Sequence, residues 1–266
     1  MTYTDIAVEH PRSGVTVVAI NRPEVRNAYR SRTCLDLYAA IEAYVSDDTQ
    51  RVLVLTGTNQ SFCSGGDLSS QAEIEAAHSR QFGHGTVMRE GMHRVVRALY
   101  TCDKPTIAMI DGPAVSGGLA LALCCDFRIG IERARMGDVS GRVGLLPDEG
   151  GAWLFPRAMG ADRALRMSLL HEIYDASAAL ELGLLTDLVS DEALADYTYA
   201  LAETLVAKAP LAARMTKRLM RQAQHSTMDE SLIHAEMAVD IVNVSADVTE
   251  GVEAFLTKRP PRFTGA

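Results

Sequence analysis

The sequence predicts an α/β protein: a mostly parallel sheet covered by helices, followed by a region of helices alone. Three observations carry this. Up to residue 131, short runs rich in Val, Ile and Leu alternate with segments whose apolar residues recur at helical spacing. These runs are apolar almost throughout, as in strands buried on both faces. Beyond residue 160 only the helical spacing persists.

The elements follow in order. Val15-Thr-Val-Val-Ala-Ile20 reads as a strand closed by Asn21-Arg-Pro23. Residues 32–45 place Leu35, Leu37, Ala40, Ile41 and Tyr44 at helical spacing. Arg51-Val-Leu-Val-Leu-Thr56 is a buried strand ended by Gly57. Residues 69–86 are polar, contain Gly83 and Gly85, and read as a mobile loop. Residues 88–102 are helical, Thr106-Ile-Ala-Met-Ile110 is a strand, 117–125 open a helix, and 127–131 form the next strand. Further helices are expected over 161–170, 176–182, 192–208, 210–224, 228–243 and 248–258, with Asp191 and Asp229 as helix starts. Arg259-Pro-Pro-Arg-Phe263 stops the last. The expected division is a core over 1–195 and a helical region over 196–266.

Composition narrows the function. The 266 residues are 47% hydrophobic and carry a formal net charge of −8. That is enough chain for a large core, and its acidity argues against sequence-independent nucleic-acid binding. Residues 1–5 are polar, the apolar run 15–20 is too short for a signal segment, and the stretch 117–125 is well short of the ~20 residues a membrane span needs. Cys34, Cys63, Cys102, Cys124 and Cys125 are odd in number and form no metal-ligand spacing. Expected are reduced thiols, a cytoplasmic location, no metal, and no nucleic-acid or membrane partner.

Two glycine-bearing turns stand out. Ser61-Phe-Cys-Ser-Gly-Gly-Asp-Leu68 follows the strand ending at Thr56, and Asp111-Gly-Pro-Ala-Val-Ser-Gly-Gly-Leu119 follows the strand ending at Ile110. Ligands of α/β proteins bind where strands end. Glycine allows close backbone approach, and a helix opening at Gly117 or Gly118 presents unpaired N–H groups. Two N–H groups converging on a carbonyl oxygen would form an oxyanion hole.

With Asn21-Arg-Pro-Glu-Val-Arg-Asn-Ala28, Lys104-Pro-Thr-Ile-Ala-Met-Ile-Asp-Gly112 and Cys125-Asp126, these words resemble the enoyl-CoA hydratase/isomerase (crotonase) superfamily from about residue 5 to the C-terminus. The resemblance implies a spiral of ββα repeats with a C-terminal helical region, assembled as a homotrimer or a dimer of trimers. It implies an acyl-CoA thioester substrate, with coenzyme A entering as part of that substrate and no separate cofactor. The implied oxyanion hole is the N–H pair of Ser64 and Gly117. Implied coenzyme A contacts are Arg26, Asn27 and Ala28, then Cys63, Ser64, Gly65, Gly66, Asp67 and Leu68, with Phe255 and Lys258 reaching a neighbour's site. For Arg26, a guanidinium pairs directionally with phosphate. Asp67 is expected to fix its turn.

The chain departs from the family's hydratases at both catalytic glutamate positions, which here hold Ala120 and Ser140. Gly144-Leu-Leu-Pro-Asp-Glu-Gly-Gly151 supplies another carboxylate. In the isomerase-like branch an acid at the Asp148 position does the work, so Asp148 is the expected acid/base and Glu149 its neighbouring competitor. One carboxylate can move a proton from the α- to the γ-carbon of an enoyl thioester, and burial against Leu145, Leu146 and Trp153 would raise its pKa. An aspartate before a helix also reads as an N-cap. Ala120, Ser140, Leu145 and Trp153 are the expected acyl-pocket residues, with Asp138 and Arg142 nearby. His78, His84 and His93 read as exposed, and Cys63 as buried and inert because no histidine partner is evident. Double-bond or ring isomerisation is the leading reading. Hydration, hydrolysis or dehalogenation of an unusual acyl-CoA, or catalytically silent binding of a CoA ester, are the alternatives.

Overall fold

The computed structural model describes residues 2–69, 81 and 83–266. A six-stranded sheet is built from β1 (Ile6–Arg12), β2 (Val15–Ile20), β3 (Val52–Gly57), β4 (Thr106–Ile110), β6 (Phe127–Gly130) and β9 (Asp187–Leu188), side by side in that order. Only the β1–β2 pair is antiparallel. Its central strands are apolar throughout because both faces are covered. One face carries Val18, Ile20, Leu53, Leu55, Ala108 and Ile110, packed against Leu37 and Ile41 of α1 (Ser31–Ser46) and Val95 and Leu99 of α3 (Met92–Thr101). The other carries Val15, Val17, Val52, Val54, Ile107 and Ile129, packed against Leu194 and Ala202 of α8 (Leu194–Val206). The boundary expected after residue 195 therefore falls within a helix that covers the sheet.

A second, three-stranded sheet joins β5 (Pro113–Val115), β7 (Arg135–Gly137) and β8 (Ile173–Tyr174). These strands are too short to show periodicity. The helix expected over 88–102 is two helices, α2 (His84–Glu90) and α3, separated at Gly91. The expected loop over 69–86 lies mostly outside the described residues, as does His78, although α2 begins within it.

Helices α4 (Gly117–Cys124), α5 (Gly151–Met159), α6 (Ala161–Leu170) and α7 (Ala176–Glu181) complete the core, and α9 (Pro210–Ala223), α10 (Met228–Val242) and α11 (Ala246–Leu256) form the C-terminal region. Asp191 does not cap α8: it pairs with Arg133, and Ala193 holds the cap position. For α10 the cap is Thr227, whose hydroxyl accepts from Glu230 N–H while Glu230 accepts from Thr227 N–H; Asp229 lies inside the first turn. Among the described residues no helix is long and apolar enough to cross a membrane.

Candidate active site

The 61–68 and 111–119 turns meet because their backbones pair. Cys63 bridges Ala114, with Cys63 N–H donating to Pro113 C=O and Val115 N–H donating to Cys63 C=O. A Cβ on Gly118 would stand 2.1 Å from Cys63 C=O, so only glycine permits this approach. Burial raises the Cys63 thiol to about 12 and leaves it no nucleophile.

The loop before α1 is pinned to the first turn by buried charge. Arg22 donates to Ala28 C=O at 2.6 Å and to Asp67 at 2.8 Å, and Arg30 makes a two-pronged pair with buried Asp5. Hydrogen bonding from Arg30 holds the Asp5 carboxyl below its usual range. Asp67 thus fixes its turn as expected from sequence, through a partner the sequence did not suggest. Asn27 is fully buried, accepts from Arg22 N–H, and donates to Thr58 and Ser61 C=O. Asn27 and buried Ala28 therefore build the loop, and exposed Arg26 is the side chain free to meet a ligand.

This pairing engages one amide of the expected N–H pair. Ser64 N–H donates to Arg26 C=O at 3.2 Å and Ser64 Oγ to Val25 C=O at 3.1 Å, so that amide is already used in closing the loop onto the turn. The N–H groups of Gly66 and Gly117 donate to nothing among the described residues.

Beside them opens a cleft of about 330 Å³, a size suited to a small acyl group. Gly65, Gly66, Asp67, Leu68 and Ser64 line it, as do Ser140, Leu145, Asp148 and Glu149. Tyr29, Met88 and Met92 extend the wall. Glu149 is only 6% exposed, and Tyr29 Oη donates to its Oε1 at 2.8 Å. Both crowd Gly117: a Cβ there would lie 2.5 Å from Tyr29 Cε1 and 2.8 Å from Glu149 Oε1. Burial raises the Glu149 carboxyl to about 7, helped by the charges of Asp148 and Asp138 and opposed by the Tyr29 hydrogen bond.

Asp148 also lines the cleft but is less buried. Its expected apolar cover is missing. Leu145 is 50% and Leu146 64% exposed, and Trp153 lies on a different cavity with Tyr100, Arg157 and Arg221. There Trp153 packs edge-on against Tyr100 and stacks on His225. Ala120 is buried inside α4 and does not line the cleft, and Ser140 Oγ donates to Asp138 at 2.8 Å. Asp148 is not a helix cap either, since Gly150 precedes α5. Phe255 is 83% exposed on α11, Lys258 is exposed just beyond it, and neither reaches this chain's cleft.

Sequence reasoning missed Tyr29 and the role of His93. The His93 ring Nε2–H donates to Asp148 C=O at 2.7 Å, fixing the turn that carries both acids. His84 is exposed at the cleft rim. No spacing rule joins these residues; only the folded chain brings them together.

A family model described as enoyl-CoA hydratase/isomerase matches residues 10–266. The chain is 33% identical to 1,2-epoxyphenylacetyl-CoA isomerase of Escherichia coli strain K12, over 98% of this chain and 99% of that one. It is 35% identical to a probable enoyl-CoA hydratase of Rhodobacter capsulatus, over the whole of both. Among solved structures, the enoyl-CoA hydratase of Bacillus anthracis superposes with a TM-score of 0.92 at 26% identity, covering 99% of this chain and all of the other. The fold with paired glycine turns and the match along nearly the full length agree: the chain belongs to the enoyl-CoA hydratase/isomerase family.

Proposed function

We propose that the protein isomerises a β,γ-unsaturated acyl-coenzyme A thioester to its α,β-unsaturated form, with Glu149 carrying the proton and the N–H groups of Gly66 and Gly117 binding the thioester oxygen. The observation behind it is the position of the Glu149 carboxyl against Gly117, with Tyr29 holding it there. A base with a pKa near 7 is half ionised at neutral pH, which suits alternate acceptance and return of a proton.

The steps balance without a further reactant. Ionised Glu149 takes a proton from the α-carbon, and the electron pair moves onto the thioester oxygen. The two N–H groups stabilise that oxyanion, each worth about 3–4 kcal/mol by analogy with other oxyanion holes. Glu149 is then neutral, so its own carboxylate does not oppose the new charge. The same carboxyl returns the proton to the γ-carbon as the double bond forms between the α- and β-carbons. The role given to Asp148 from sequence passes to Glu149 because Glu149 is the more buried acid and the one beside Gly117. Arg26 is proposed to meet coenzyme A phosphate, and Phe255 and Lys258 a neighbouring subunit's substrate.

A second reading is hydration, favoured by the two acids, Asp148 and Glu149, that share one cleft. Incubating a β,γ-enoyl-CoA with the enzyme in deuterium oxide separates the two. Isomerisation gives the conjugated thioester, with deuterium at the γ-carbon to the extent that the Glu149 proton exchanges with solvent before its return, whereas accumulation of a 3-hydroxyacyl-CoA from an α,β-enoyl-CoA would replace the proposal with hydration.

A further inference from the structure

Ser116, the residue before Gly117, has φ 49° and ψ −118°. This is the mirror-image extended region, which glycine enters freely and a residue with a Cβ does not. A serine there must be held by its surroundings. Every polar atom of Ser116 is engaged. Its N–H donates to Gly137 C=O at 2.9 Å, and its C=O accepts from Ala120 N–H at 3.0 Å. Its Oγ donates to Asp138 Oδ1 at 3.3 Å and accepts from Val139 N–H at 3.1 Å.

Asp138 is fully buried. Its Oδ1 also accepts from the N–H and hydroxyl of Ser140, at 3.1 and 2.8 Å, while its Oδ2 has no partner among the described residues. A buried carboxylate with one oxygen unpaired is costly to keep. All its hydrogen bonds serve two serines on the cleft wall, one of which sets the direction of the Gly117 N–H.

We infer that Asp138 and Ser116 form a positioning pair, in which the carboxylate holds the serine in a glycine-like conformation and so aims the Gly117 N–H at the substrate's thioester oxygen. The pair acts through the backbone and touches no reacting atom. The inference rests on the reading of Gly117 as an oxyanion donor.

The test uses a conjugated aryl-enoyl-CoA, whose absorption band moves to the red when its carbonyl oxygen accepts strong hydrogen bonds. The intact enzyme should bind it with a red shift. Ser116→Ala and Asp138→Ala should each lose at least half of that shift while changing Kd less than threefold. Ser116→Gly, which adopts the conformation unaided, should regain most of it, and adding Asp138→Ala to Ser116→Gly should then change it little. Melting curves of each variant separate misfolding from misdirection. A full red shift in folded Ser116→Ala, or an Asp138→Ala effect of equal size in the Ser116→Gly background, would overturn the inference. Binding without any red shift in the intact enzyme would instead overturn the reading of the N–H pair.

Discussion

The Tyr29 hydroxyl donates a 2.8 Å hydrogen bond to Glu149 Oε1, joining the loop before α1 to the turn before α5 across 120 residues of chain. The phenol sets the protonation of the acid it touches. Burial pushes Glu149 up, the Tyr29 bond pulls it back, and the result is about 7. Burial and the Glu149 charge push the Tyr29 phenol well above its ordinary value of 10, so it stays protonated and remains the donor.

Removing that donor leaves burial opposed only by the backbone hydrogen bond at Glu149. A hydrogen bond to a charged group contributes about 1.5–3 kcal/mol, and one pKa unit is about 1.4 kcal/mol. Tyr29→Phe should therefore move the acid limb of the kcat/KM–pH profile upward by about one unit. At neutral pH the loss should be about fivefold, rising toward tenfold at lower pH and recovered at alkaline pH. Steady-state rates from pH 5.5 to 9.5 check this, and an unmoved limb would detach Tyr29 from the base.

The same acid shapes stability. Its folded pKa is raised from 4.5 to about 7. Below about pH 4.5 both the folded and unfolded chains hold the proton, and Glu149 costs nothing. As pH rises through that window the unfolded chain releases its proton and the folded chain keeps it, so stability falls; the penalty is complete above about 7. Its full size is about 3 kcal/mol. Glu149→Gln should be more stable than the parent at pH 8 by up to that amount and equal to it at pH 4.5. Denaturant melts at the two pH values measure the difference.

Gly117 and Gly66 should respond differently to one added methyl. At Gly117 a Cβ collides with Tyr29 and Glu149, so Gly117→Ala should lower kcat at least a hundredfold. At Gly66 the nearest atom to a Cβ is Tyr29 Oη at 3.5 Å, an ordinary contact, and the N–H is kept. Gly66→Ala should retain activity within about tenfold. Initial rates with one enoyl-CoA decide it.

The last two C-terminal helices present Met228, Leu232, Met237, Phe255 and Leu256, and the turn between them Val244, to solvent in the single chain, each more than half exposed. Apolar exposure on this scale is what a subunit interface would cover, and a homotrimer or dimer of trimers is proposed to cover it. Sedimentation equilibrium should return a mass of three or six chains, and Phe255→Asp with Leu256→Asp should shift it toward one.

Much of the fold was legible because its elements carry their own apolar pattern, a continuous run in the buried strands and helical spacing in the helices. The strands at 15–20 and 106–110 and the helix at 161–170 fall on the expected residues. The small sheet did not, since strands of two or three residues have no period to read. At the site, sequence found the two turns and the acidic pair, while the choice we propose within each rests on the folded chain. Which amide of Ser61–Leu68 is spent depends on Arg26 C=O, 38 residues upstream, which binds Ser64. Which of Asp148 and Glu149 is buried depends on Tyr29 and on how the Asp148 carbonyl meets His93. Trp153 was misread for a similar reason: its position on α5 turns it toward Tyr100 and the other cavity.

The central claim, that Glu149 moves the proton, is tested most directly by single-turnover isomerisation of a β,γ-enoyl-CoA with Glu149→Gln and Asp148→Asn compared at pH 8. Glu149→Gln should slow appearance of the conjugated thioester by at least about 10³-fold, with substrate affinity within a few-fold of the parent, while Asp148→Asn stays within about tenfold. Near-parental turnover by Glu149→Gln alongside an inactive Asp148→Asn would contradict the claim and return the chemistry to Asp148.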